Sequence, residues 1–117
     1  MSTLPASGLA LRTLITAEDG LKVFLEDAPV PAPVGDQVLI RVEAAPINPS
    51  DLALLTGPAD LSAATAEGAG ASKALRAPVP APFLKYVSGR LGEALPVGNE
   101  GAGGVIAAGD GAAAQAL

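Results

Sequence analysis

Asn48, Ser50 and Asp51 stand together in the stretch AAPINPSD (44–51), beside prolines at 46 and 49. An amide that donates and accepts, a hydroxyl and a carboxylate on a proline-stiffened turn can orient a polar group or relay a proton. A second polar pair, Asn99–Glu100, sits in the glycine-rich block PVGNEGAGG (96–104). Tyr86 is the single phenol and can donate a proton, although an isolated tyrosine beside a loop is commonly a packing residue. The chain has no cysteine and no histidine. That removes thiolate and imidazole ligands, disulfides, cysteine nucleophiles and a histidine base. A transition-metal site would need carboxylates alone, and none cluster at ligand spacing, so the expected metal content is none. Each polar residue also has a plain structural role. Asn48 is a good helix N-cap, Asp51 suits the positive end of a helix dipole, and Asn99 and Glu100 can close a turn.

These residues need elements to position them. QVLIRVEAAPI (37–47) alternates so that Val38, Ile40, Val42 and Ala44 share one face, with Arg41 and Glu43 on the other beside Leu39. That strand leads straight into the Asn48 turn, and Val38, Ile40 and Val42 are expected to face the core together. NPSDLALLTG (48–57) reads as a short helix capped by Asn48, with Pro49 first and Gly57 last, burying Leu52 and Leu55. Upstream, apolar runs at 9–16 and 21–27 flank AEDG, where Asp19-Gly20 supplies a positive-φ hairpin turn. PVPAPVGD (29–36) is an extended connector. GAGGVIAAG (101–109) is a glycine-flanked strand, and AAAQAL (112–117) begins a helix.

Residues 58–94 are read as a long inserted loop. ADLSAATAEGAGASKALRA (59–77) has few large apolar side chains and weak periodicity, so it is expected to lack a fixed path and to be the most mobile internal stretch. Residues 82–92 are expected to be ordered near the site, with Pro82 starting a helical turn and Gly89 ending it.

The 117 residues match one domain of the usual roughly 100–200. Half are hydrophobic, yet 25 are alanine and three are aromatic, so the core must rest on Val, Leu and Ile and stability should be modest. A net charge of −5 without a basic cluster argues against nucleic acid and against a basic membrane-binding patch. No apolar stretch approaches a spanning helix, and the N-terminus lacks a signal-peptide pattern, so a cytoplasmic chain is expected.

GDGAAA (109–114) fits the G-x-G-x-x-A variant of a dinucleotide fingerprint between a strand and a helix. Such a unit needs an acidic residue about 20 positions on and a second parallel strand. Neither follows here, so the motif reads as a glycine turn.

Taken together, PINPSD and PVGNEGAGGVIAAG resemble the N-terminal, GroES-like part of medium-chain dehydrogenases/reductases. The likeness runs from the hairpin at 9–27 through PAPVGDQVLIRVEAAPINPSD and resumes at LPVGNEGAGGV, covering about two-thirds of the chain. It implies a mainly β (α+β) fold, a partly open β-barrel with short helices, forming the first domain of a longer protein whose Rossmann domain lies outside this chain. In zinc-dependent members a cysteine occupies the position of Asn48 and a histidine that of Asn99. The two asparagines place this chain with the zinc-free branch, similar to NADPH:quinone oxidoreductases and related reductases of activated double bonds.

On that resemblance, Asn48 orients the nicotinamide or a substrate oxygen, and Ser50 falls where relatives carry a proton-relay hydroxyl. Asp51 and Glu100 match carboxylates behind the metal of the zinc-dependent branch, and here would brace Asn99 and nearby amides. The implied cofactor is NADPH or NADH, held mainly by the second domain; the implied partner is a small-molecule substrate, and the longer protein is expected to be a homo-oligomer. The 117 residues alone should be inactive. Two rival readings remain: a stand-alone GroES-like interaction module without catalysis, and a binding domain for a hydrophobic small molecule.

Overall fold

The computed structural model describes residues 4–117, so the start of the N-terminal reading, residues 1–3, lies outside the described residues. Two antiparallel sheets carry the fold, with no closed barrel among the described residues; the protein is mainly β with short helices. The described residues divide into two compact units, one of Leu9–Asp27 and Ile47–Gly98, the other of residues 4–8, Ala28–Pro46 and Asn99–Leu117. No helix among the described residues is long and apolar enough to cross a membrane.

The first unit holds a five-stranded sheet. Its centre is the expected hairpin of β1 (Ser7–Thr16) and β2 (Gly20–Pro29), whose outer ends extend into the second unit. The turn differs from the expectation that Asp19 and Gly20 both supply positive φ. Only Gly20 has positive φ (73°), and the Asp19 amide donates to Thr16 Oγ1 at 3.0 Å. A longer loop closed by one left-handed glycine matches the strand twist without forcing Asp19 into a strained conformation. A side chain at Gly20 would also strike the Ala77 carbonyl, 2.7 Å from the ideal Cβ position.

Segment 58–94 departs most from expectation. It contains β4 (Thr65–Glu67), β5 (Ala74–Ala77) and a 3-10 segment over Ala81–Arg90 made of two turns that meet at a kink at Val87, with the short β6 (Leu95–Pro96) beyond it. The sheet order is β4-β5-β2-β1-β6. β5 pairs with β2 in the register Leu21–Ala77 and Val23–Leu75, and Ala74 and Ala77 are buried. The expectation of a chain without a fixed path is thus corrected: small side chains bury little area, but a shared backbone ladder supplies partners for the peptide groups and fixes the path. The β4–β5 turn is tied locally by Ser72 Oγ, which donates to the Ala69 carbonyl at 2.8 Å, and Arg76 pairs with Glu67 at 2.8 Å. Within residues 82–92, Leu84, Val87 and Leu91 pack on the core cluster of Ile15, Leu21 and Ala77 in this unit.

The second unit is built on β3 (Val38–Ala44) and β7 (Ala102–Ala108), paired antiparallel, with α2 (Ala112–Gln115) at its end. The expected common core face of β3 is only partly realised. Val38 is half-buried, whereas Ile40 is 46% and Val42 61% exposed. The partner strand is glycine and alanine over much of its length, so it offers little apolar area. Register shifts after Leu39 and after Val42 also break the regular alternation. Arg41 is exposed, as the pattern requires.

Candidate functional site

The turn after β3 starts α1 (Pro49–Thr56), and the sequence dictates how. Asn48 takes the extended N-cap conformation (φ −98°, ψ 157°) and Pro49 opens the helix. Asp51 reaches back so that its Oδ2 accepts from the Asn48 amide at 2.8 Å, while its own amide donates to the Asn48 carbonyl at 3.0 Å. This is a capping-box arrangement, in which Asp51 braces a nearby backbone amide, that of Asn48. Asn48 is half-buried and Ser50 exposed. Gly57 closes the helix with φ 52°, its amide donating to the Ala53 carbonyl at 2.9 Å.

The expected burial of Leu52 is not found. Leu52 is 53% exposed, and only Leu55 of that pair is half-buried. α1 is held by its last carbonyls instead. Arg90 Nη1 donates to the Leu54 carbonyl at 2.8 Å, and Thr13 Oγ1 donates to the Leu55 carbonyl at 2.7 Å. Desolvation by burial holds the Arg90 guanidinium below its ordinary arginine value. Neither Arg90 nor Thr13 carried a sequence signal, since they meet α1 from 36 and 42 residues away.

In the second unit, the register of β3 and β7 sets Ala44 opposite Ala102. The residues leading into the Asn48 turn therefore meet the glycine-rich block at one end of the ribbon. Between them lies an open cleft of about 710 Å³ lined by Ala44, Ala45, Pro46, Asn99, Glu100, Gly101 and Ala102. Asn99 and Glu100 are exposed on it. Gly103 permits the close approach of the strands, because a Cβ there would run into the Arg41 carbonyl. Of the five expected site residues, Asn48, Ser50 and Asp51 are brought together at the start of α1. Asn99 and Glu100 are brought together in the other unit. Tyr86 lies on the 3-10 segment, 71% exposed, with Phe83 6.3 Å away ring to ring and Lys85 Nζ 5.1 Å from its ring. No group of three or more His, Cys, Asp or Glu among the described residues is placed to hold a metal ion.

GDGAAA has a structural explanation. Asp36 Oδ1 accepts from the amides of Ala113 at 3.2 Å and Ala114 at 3.5 Å, occupying the position an external anion would take at the start of α2. Gly109 lies against the backbone of Val34 and Gly35, and Gly111 against the Asp36 carboxylate and the Gly35 backbone, so closely that a Cβ at either would collide. The amides that would receive a pyrophosphate at the start of α2 are already taken by Asp36. Asp36, read from sequence as part of a connector, is the missed residue; its partners are 77 and 78 positions on. Asp36→Ala is expected to free the end of α2 at a cost of about 1 kcal/mol, seen as faster amide exchange at Ala113 and Ala114 than in the parent. Unchanged exchange at those amides would refute the capping role.

Compared with models of known protein families and with curated proteins, the chain matches none.

Proposed function

We propose that this chain is the substrate-side, GroES-like part of a zinc-independent NAD(P)H-dependent oxidoreductase acting on quinones or activated alkenes. The observation that carries the reading is the cleft at the end of the β3–β7 ribbon. The segment entering the Asn48 turn and the Asn99–Glu100 block, which together carry the resemblance, line it from both strands. The asparagines at 48 and 99 offer amides where zinc-dependent relatives have metal ligands. With α2 capped by Asp36, GDGAAA is not a pyrophosphate loop, and on this reading the dinucleotide is held mainly by a second domain.

When bound, a reduced nicotinamide supplies the hydride. This chain's contribution is to position and polarise. The Asn48 side chain orients a substrate oxygen or the nicotinamide ring, and a hydrogen bond to developing negative charge is the main catalytic term expected of it. Asp51 fixes the Asn48 backbone through the 2.8 Å bond and so sets where that amide can point. Ser50, exposed beside it, passes a proton to the product. Asn99 and Glu100 shape the polar rim of the cleft.

The test compares the 117-residue chain with a protein carrying the same chain followed by a dinucleotide-binding domain. NADPH titration and a quinone-reduction assay should find negligible affinity and no turnover in the first, and turnover in the second without stoichiometric zinc. In the second protein Asn48→Ala should lower kcat by roughly 100-fold, while the lost cap costs the fold only about 1 kcal/mol. Full activity from the short chain, one tightly held zinc per chain, or unchanged Asn48→Ala kinetics would each reject the reading.

A further inference from the structure

The five-stranded sheet has one apolar face that is covered over only part of its length. Cross-strand register puts Leu21 opposite Ala77, Val23 opposite Leu75 and Leu75 opposite Ala66, so these side chains share that face. Around Ile15, Leu21 and Ala77 it is roofed by Val79, Leu84, Val87 and Leu91. Beyond them the face opens into a groove of about 390 Å³, lined chiefly by Leu11, Val23, Leu25, Ala66, Leu75 and Lys73. A volume in the range of about 300–1,000 Å³ with apolar walls and few polar groups is the form of a small-molecule site.

The charges around this groove decide what it would take. In a chain of net charge −5, the one charged residue lining it is a cation. Lys73 has extended backbone (φ −62°, ψ 133°) just ahead of β5, two residues before Leu75, and lines the groove beside it. The neighbouring carboxylates are already engaged: Glu67 with Arg76 and Glu26 with Arg12, each at 2.8 Å. Among the described residues Lys73 itself makes no ion pair.

We propose that this groove binds a small amphiphilic monocarboxylate, its alkyl tail on Leu11, Val23, Leu25 and Leu75 and its carboxylate on Lys73 Nζ. The groove shares no lining residue with the Asn99–Glu100 cleft, and the proposal stands whether or not the chain belongs to a reductase.

The experiment is a methyl NMR titration of the intact chain with octanoate, 1-octanol and octylamine at one ionic strength. These probes share a tail and differ in the head. Saturable shifts are expected at the Leu11, Val23, Leu25 and Leu75 methyls, with octanoate bound about three- to fivefold more tightly than 1-octanol and octylamine weakest. Lys73→Met should equalise octanoate and octanol, whereas Ala66→Phe, filling the groove from the exposed edge strand, should abolish all three. Should Ala66→Phe fail to fold, the Lys73→Met ratio decides. No saturable shift with octanoate, shifts confined to residues 44–46 and 99–102, or an octanoate preference that survives Lys73→Met would overturn the proposal.

Discussion

Leu21→Ala is expected to lower the stability of the five-stranded sheet by about 2–5 kcal/mol, among the largest effects of a single truncation in the first unit. Among the described residues of that unit, the fully buried large side chains are Ile15, Leu21 and Thr13, and the other buried apolar residues there are alanines. Leu21 sits where β2 meets β5, opposite Ala77, with Ile15 beside it in the core cluster. Removing three carbons leaves a cavity that these neighbours cannot fill, since alanines have nothing to extend and Ile15 is already enclosed. Domains of this size are stable by only about 5–15 kcal/mol, so the variant should unfold at a much lower urea midpoint. Leu9→Ala, at a position 59% exposed, is the matched control and should cost under about 0.5 kcal/mol. Equal urea midpoints for the two variants, followed by circular dichroism, would show that this cluster is not the core.

The second large effect is expected at Arg90. Its guanidinium joins three parts of the first unit: the 3-10 segment that carries it, the Leu54 carbonyl near the end of α1, and Thr13 Oγ1 in β1 at 3.1 Å. Thr13 is fully buried and passes the connection on to the Leu55 carbonyl. A cation at the C-terminal end of α1 also complements its dipole. Arg90→Met keeps much of the length and removes every donor, leaving a buried hydroxyl and a helix-terminal carbonyl short of partners. Hydrogen bonds to a charged group contribute about 1.5–3 kcal/mol, so a loss of about 2–3 kcal/mol is expected. Arg90→Lys should recover only part, because one ammonium cannot span both acceptors. The buried Nε has no partner among the described residues, which is consistent with a guanidinium held for its two outer nitrogens.

The pH dependence follows from the lowered value of Arg90. A base whose folded-state value lies below its unfolded one binds protons more weakly when folded, so its contribution to stability rises with pH only where it titrates. That window is strongly alkaline. Across the neutral range the guanidinium is charged in both states, and the Arg90→Met loss should be constant. Urea midpoints of parent and variant measured through that range test this; a loss that changes steadily with pH would mean that another titrating group is involved.

Sequence reasoning reached the features that depend on near neighbours along the chain. The hairpin of β1 and β2, the strands β3 and β7, and the start and stop of α1 were legible because turn glycines, alternation and cap residues act within a few positions of themselves. Asn48 as N-cap and Asp51 in the first turn belong here as well, although the bond between them, at the spacing of a capping box, was not anticipated. Asn99 and Glu100 were legible as a polar pair beside glycines, but not as part of a cleft with Ala44 to Pro46, which the β3–β7 register creates.

What only the tertiary structure decided was pairing between distant segments. The alanine-rich stretch 59–77 carries weak local preference, so its order comes from β5 docking on β2, which lies about 50 residues earlier in the chain. The exposure of Ile40 and Val42 follows from the small side chains and shifted register of β7, which no alternation within β3 could announce. Asp36 and Arg90 show the same limit in polar form: their acceptors and donors lie 77, 78 and 36 residues away, where composition and spacing say nothing. Local sequence sets which backbone conformations are inexpensive, while long-range packing selects which of them persist, because buried area and paired peptide groups exist only once distant segments meet.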